Sequence, residues 1–126
     1  MKKKTANAGD NIKTENASWT FGNDVAKKFS KHVKTSVPMY EEGHDIILSI
    51  SDFFINEKST CYDVGCSTGT LLSKLSQRHK SKKNTSFIGI DPVKQMIDQA
   101  KKENKNKIKN VKFVNAEIEK VKLKKS

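Results

Sequence analysis

The residues best suited to chemistry lie in one run, Tyr62-Asp63-Val64-Gly65-Cys66-Ser67-Thr68-Gly69. A buried strand ends at Gly65 and a helix opens near Thr68, so the turn between them is short and glycine-bearing. Glycines there let backbone N–H groups and the positive end of a helix come close to a ligand. Two ligand classes use such a turn: dinucleotides and S-adenosylmethionine. The dinucleotide pattern needs a second glycine two positions after the first, and Ser67 stands there. Asp63, two positions ahead of Gly65, would repel a pyrophosphate and suits an ammonium or a sulfonium. The loop turns away from dinucleotides towards S-adenosylmethionine; a tight strand-to-helix turn with no ligand is the plain alternative.

Two further carboxylates sit at comparable places. Asp91 closes a second apolar strand, where an acidic side chain can accept from ribose hydroxyls; it also suits a helix cap ahead of Pro92. Glu117 follows a third strand in Asn115-Ala116-Glu117-Ile118. There a carboxylate can take an adenine amino group while Ile118 packs on the ring. Three signals at three successive strand ends reinforce one another. His32, His44 and His79 have no acidic or cysteine partner at ligand spacing and are read as surface or helix-face residues, so no metal site is expected. No residue can be assigned a catalytic role.

The elements that hold these residues follow from periodicity. Val25, Phe29 and Val33 fall at helical spacing after a cap at Asn23 or Asp24, and the helix should stop before Ser36-Val37-Pro38. A second helix is predicted over 39–54, with Ile46, Ile47, Ile50, Phe53 and Phe54 as a wide apolar stripe. Then come a strand over 59–64, a helix over 68–78, a strand through Phe87, Ile88 and Ile90, and a helix with Pro92 in its first turn. A third strand spans 111–114. This order predicts a doubly wound parallel sheet of strand order 3-2-1 with helices on both faces. Strand one is left as an exposed apolar edge, suited to a second copy or another chain.

The sequence has 126 residues and a formal charge of +11. Residues 1–18 are polar and lysine-rich, composed for a disordered basic tail, leaving 19–126 as one partial domain. Arg78 is the only arginine, and lysines mixed with asparagines suit a solvated surface more than a nucleic-acid patch, although the runs over 101–112 and 120–125 offer some attraction to a polyanion. Cys61 and Cys66 make no disulfide framework. With no leader-like start and no membrane-length apolar run, a soluble cytoplasmic protein is expected.

Asp63 to Gly69, Gly89-Ile90-Asp91 and Asn115-Ala116-Glu117-Ile118 resemble motifs of the class I S-adenosylmethionine-dependent methyltransferases. More narrowly, the stretch 21–117 is similar to the carboxy-S-adenosylmethionine synthases. That likeness rests on Asp24-Val25-Ala26 with Phe29, on Ser36-Val37-Pro38-Met39-Tyr40, and on the Gly65-Cys66-Ser67 form of the loop. It implies a Rossmann-like α/β methyltransferase fold truncated after the third parallel strand, preceded by two N-terminal helices. It implies S-adenosylmethionine, or its carboxylated derivative, as cofactor. The positions it marks as cofactor contacts are Tyr40, Gly65, Cys66, Ser67, Asp91, Pro92, Glu117 and Ile118, beside Asp63 and Gly69 of the loop. The family usually has Asp where Glu117 stands. Family residues that read the substrate, including an arginine, lie beyond the matched stretch. The activity implied is carboxyl transfer from prephenate to the cofactor, for wobble-uridine modification of tRNA. An ordinary methyltransferase and an inactive cofactor-binding module are the alternatives.

Overall fold

A computed structural model describes residues 23–105, 108 and 110–124; the expected N-terminal tail and the side chains of Asn23 and Asp24 lie outside this set. The elements, in order, are α1 (Asn23–Ser36), α2 (Tyr40–Phe54), β1 (Thr60–Val64), α3 (Thr70–Arg78), β2 (Ser86–Asp91), α4 (Lys94–Asn104) and β3 (Val111–Asn115), then a 3-10 turn over Ile118–Lys120. The three strands form one parallel sheet in the order β1-β2-β3, with Asp63 opposite Gly89 and Gly89 opposite Phe113.

The helix starts are set by local backbone geometry. Met39 adopts a left-handed φ of 56°, so α2 begins at Tyr40. Gly69 does the same at 75°, so α3 begins at Thr70 instead of Thr68. Pro92 was expected inside the first turn of α4. Instead Asp91 Oδ1 accepts the Val93 N–H at 2.9 Å, closing a side-chain turn over Pro92 and delaying the helix to Lys94.

Two further expectations are corrected. The first is the placing of helices on both faces. Leu72 and Leu75 of α3 and Ile97 and Ala100 of α4 join a single core cluster with Phe87 and Phe113. Side chains of alternate strand residues share a face, and Gly89 lies two positions beyond Phe87. Both crossover helices therefore cover the Phe87–Gly89–Phe113 face. Two crossovers that step the same way across a sheet with one handedness must do so.

The second is the stripe on α2. Ile46, Ile50, Phe53 and Phe54 are 56%, 49%, 84% and 73% exposed, and Ile47 is exposed as well. The helix packs inward through His44, Leu48 and Ser51, at spacings of four and three. Ser51 Oγ donates to Leu48 O, so the buried His79 donates Nε2–H to Ser51 Oγ at 2.8 Å. Polar bonding thus orients α2 and leaves its apolar face in solvent, beside a sheet whose edge is β1.

Candidate functional site

The loop from Gly65 to Gly69 is held by its own backbone. The N–H groups of Gly65 and Cys66 both donate to Ile90 O, at 2.8 and 3.2 Å, and Gly69 N–H donates to Cys66 O at 2.8 Å. Ser67, at a left-handed φ of 50°, donates its N–H to Asp91 Oδ2 at 2.9 Å. These amides brace the loop against β2, so the groups turned to a ligand are mainly side chains. Thr68 is buried and shares a 3.0 Å hydrogen bond with Ser30 of α1.

Two glycines make this close packing possible. A Cβ on Gly69 would lie 2.5 Å from Phe113 Cε1. A Cβ on Gly89 would lie 2.8 Å from Cys66 Sγ and 2.9 Å from Phe113 Cδ1. Gly89 was read only as part of a strand-end motif; its role in seating Cys66 depends on register, which one strand does not reveal.

A cleft of about 150 Å³ opens above the loop. Phe29, Tyr40, His44, Asp63, Cys66 and Thr70 are among its walls. Tyr40 and His44, one turn apart on α2, hold their rings 4.3 Å apart. Burial pushes the Tyr40 phenol up, with Lys34 and, more weakly, Thr70 opposing. Burial also raises the Asp63 carboxyl above the usual carboxylate range, with Asp91 adding repulsion. Asp63 is therefore a half-buried carboxylate that gains from a cationic ligand group. The Cys66 thiol is pushed up to about 12, chiefly by burial, then by Asp63 and Asp91. It is a neutral wall group and no nucleophile.

The structure brings Tyr40, Asp63, Gly65, Cys66 and Ser67 together around this cleft. Gly69 stands behind it under Phe113. Asp91, 6% exposed, uses one oxygen on Ser67 and the other on Val93, and so braces the loop from below. Pro92 is held from behind, its carbonyl and that of Asp91 accepting from Asn115 Nδ2 at 2.9 and 3.0 Å. Glu117 is exposed and pairs with Lys120 at 2.7 Å, and Ile118 is half-buried at the start of the 3-10 turn. Neither lines the cleft. His44 and His79, read as surface or helix-face residues, are 8% and 3% exposed. No spacing signal marked His44, which the fold places beside Tyr40. Among the described residues no three His, Cys, Asp or Glu side chains gather to hold a metal ion, and no helix is long and apolar enough to cross a membrane.

A three-stranded parallel sheet with a glycine turn after β1 and a carboxylate closing β2 defines the cofactor-binding half of a Rossmann-like α/β fold. The family model described as "Methyltransferase domain" matches residues 55–126, more than half of the chain. The chain belongs to the methyltransferase-domain family, and S-adenosylmethionine is the cofactor that membership implies. It is 45% identical over 74 residues to a carboxy-S-adenosyl-L-methionine synthase of Staphylococcus epidermidis, covering 58% of this chain and 32% of that protein. It is 34% identical over 98 residues to the enzyme of the same name from Nautilia profundicola, covering 78% and 41%. The chain thus spans a third to two-fifths of these relatives. Among solved structures, a SAM-dependent methyltransferase from Aquifex aeolicus superposes with a TM-score of 0.59 at 28% identity, covering 82% of this chain and 52% of that one. Coclaurine N-methyltransferase bound to N-methylheliamine and SAH shares the fold, with a TM-score of 0.52 at 18% identity over 64% of this chain and 24% of its own.

Proposed function

We propose that this chain forms the S-adenosylmethionine-binding part of a transferase of the carboxy-S-adenosyl-L-methionine synthase kind. The observation that carries the reading is the meeting of Tyr40, from the Ser36-Val37-Pro38-Met39-Tyr40 segment, with Asp63 and the Gly65-Cys66-Ser67 turn at one cleft. Asp63 takes the ligand's ammonium. Asp91 fixes the loop and keeps lone pairs for ribose hydroxyls, since a carboxylate can accept about four hydrogen bonds. Glu117 and Ile118 flank the adenine. Ligand pockets usually exceed about 300 Å³, so this cleft of about 150 Å³ suits the amino-acid end of the cofactor, with the adenosine lying outside it towards Asp91.

The complete protein would transfer a carboxyl group from prephenate to S-adenosylmethionine, which Tyr40, Asp63 and the Gly65 to Ser67 turn would hold. The product would serve tRNA wobble-uridine modification in the cytoplasm. Calorimetry of the chain with S-adenosylmethionine tests the binding claim, and absence of heat at millimolar ligand counts against it. Carboxy-S-adenosylmethionine formed from prephenate, followed by mass spectrometry, tests the chemistry; methylation of another acceptor instead would favour an ordinary methyltransferase.

A second reading has its own observation. The β1 edge and the exposed α2 face suit a cofactor-binding module that pairs with another copy or chain. A stable dimer on size exclusion without turnover on prephenate favours it.

A further inference from the structure

Among the described residues, His44 is the cleft residue with a buried side-chain polar atom left without a hydrogen-bond partner. It is 8% exposed, it lines the cleft, and its Nδ1 is buried with no hydrogen-bond partner. A buried polar atom without a partner costs about 1–3 kcal/mol, and native structures keep few of them. Packing alone does not account for the residue, because a leucine or phenylalanine would fill the same place between α2 and α3 without that cost. Metal binding does not account for it either, since among the described residues no ligand cluster surrounds it. Burial, then Lys74, lowers its pKa, so the ring is a neutral donor and acceptor.

The cleft combines two kinds of group. Asp63 supplies negative charge, and Tyr40, Thr70 and His44 supply hydroxyl and imidazole donors. A group carrying both an ammonium and a carboxylate matches that arrangement, as a lone cation or a neutral sugar does not. We propose that His44 is a specificity-determining residue that donates Nδ1–H to the α-carboxylate of the ligand's amino-acid end, while Asp63 takes the ammonium. This rests on the cofactor reading above and deepens it. The bond would satisfy an atom otherwise stranded, and it would make the cleft select the amino-acid end of S-adenosylmethionine over adenosine alone.

The test uses the full chain with its histidine rings labelled with ¹⁵N, titrated with S-adenosylhomocysteine and with 5′-methylthioadenosine, which lacks the amino-acid end. The His44 Nδ1 resonance is expected to move with the first ligand and stay with the second. His44→Phe should weaken S-adenosylhomocysteine binding on the order of tenfold, the size of a hydrogen bond to a charged group, and leave 5′-methylthioadenosine unchanged. His44→Gln, which keeps an N–H donor, should retain part of the difference. An unmoved Nδ1 resonance on binding overturns the proposal, and so does equal weakening of both ligands, which marks His44 as a prop for Tyr40. If the unmodified chain binds neither ligand, the cofactor reading itself falls and takes this one with it.

Discussion

Asp91 Oδ2 accepts the backbone N–H of Ser67 at 2.9 Å, so the carboxylate that closes β2 holds the loop that follows β1. Its other oxygen accepts Val93 N–H at the same distance. Removing the carboxylate with Asp91→Ala strands two backbone donors at once. We expect a loss of about 1.5–3 kcal/mol for each, since both are hydrogen bonds to a charged group, read as a lower urea midpoint. Asp91→Asn keeps one acceptor oxygen and should fall between the two.

Gly69 and Gly89 should tolerate alanine poorly for different reasons. At Gly69 the new methyl meets the Phe113 ring and the residue must hold φ at 75°; strain and overpacking together cost about 2–4 kcal/mol. At Gly89 φ is ordinary, and the cost comes from displacing Cys66, Leu72 and Phe113. The double change Gly89→Ala with Phe113→Leu should recover part of the Gly89→Ala loss in thermal melts, whereas Gly69→Ala should recover less.

Asp63 opposes stability in order to bind. Its folded pKa is raised, chiefly by burial and then by Asp91, so ionisation is less favourable in the folded chain than in the unfolded one. That contribution is present below the unfolded pKa and is lost as pH rises through the folded one. Asp63→Asn should therefore stabilise the empty chain at neutral pH by about 0.5–1 kcal/mol, a melting shift of a few degrees. The same variant should lose affinity for S-adenosylmethionine. A variant both less stable and fully binding would contradict this role.

His79 gives the chain an acid-side weakness. Its Nε2–H donates to Ser51, and its Nδ1 accepts from Lys82 Nζ at 3.1 Å, so the buried ring is neutral. Burial, then the Lys82 ammonium, holds its pKa below the usual histidine value. Stability from a depressed pKa is full above the unfolded value of about 6.5 and drains away as pH falls through the folded one. Unfolding midpoints should drop as pH falls below about 6.5, and His79→Gln should flatten that slope.

The parts of the site legible in the sequence were those fixed by short-range rules. The period change at Ser59, the glycine turn at Gly65 and the carboxylate at Asp91 place a glycine loop and an acidic side chain at the strand ends with no knowledge of packing. What escaped depends on partners distant in the chain. The stripe of Ile46, Ile50 and Phe53 looks like a core face, yet α2 turns on Ser51 and its bond to His79, 28 residues away. The loop amides seemed free for a ligand, but two of them reach Ile90 O, an acceptor that only strand pairing brings near. His44 carries no motif, and its place beside Tyr40 follows from which face of α2 is buried.

The central claim is that Asp63, Tyr40 and the Gly65 to Ser67 turn form a site for S-adenosylmethionine. Titrating the ¹⁵N-labelled chain with S-adenosylhomocysteine, and following backbone amides, tests it directly. The account predicts saturable shifts centred on residues 63–70 and Tyr40, lost in Asp63→Asn. Amides of this loop that stay unmoved at millimolar ligand, in a chain whose spectrum shows it folded, would contradict it.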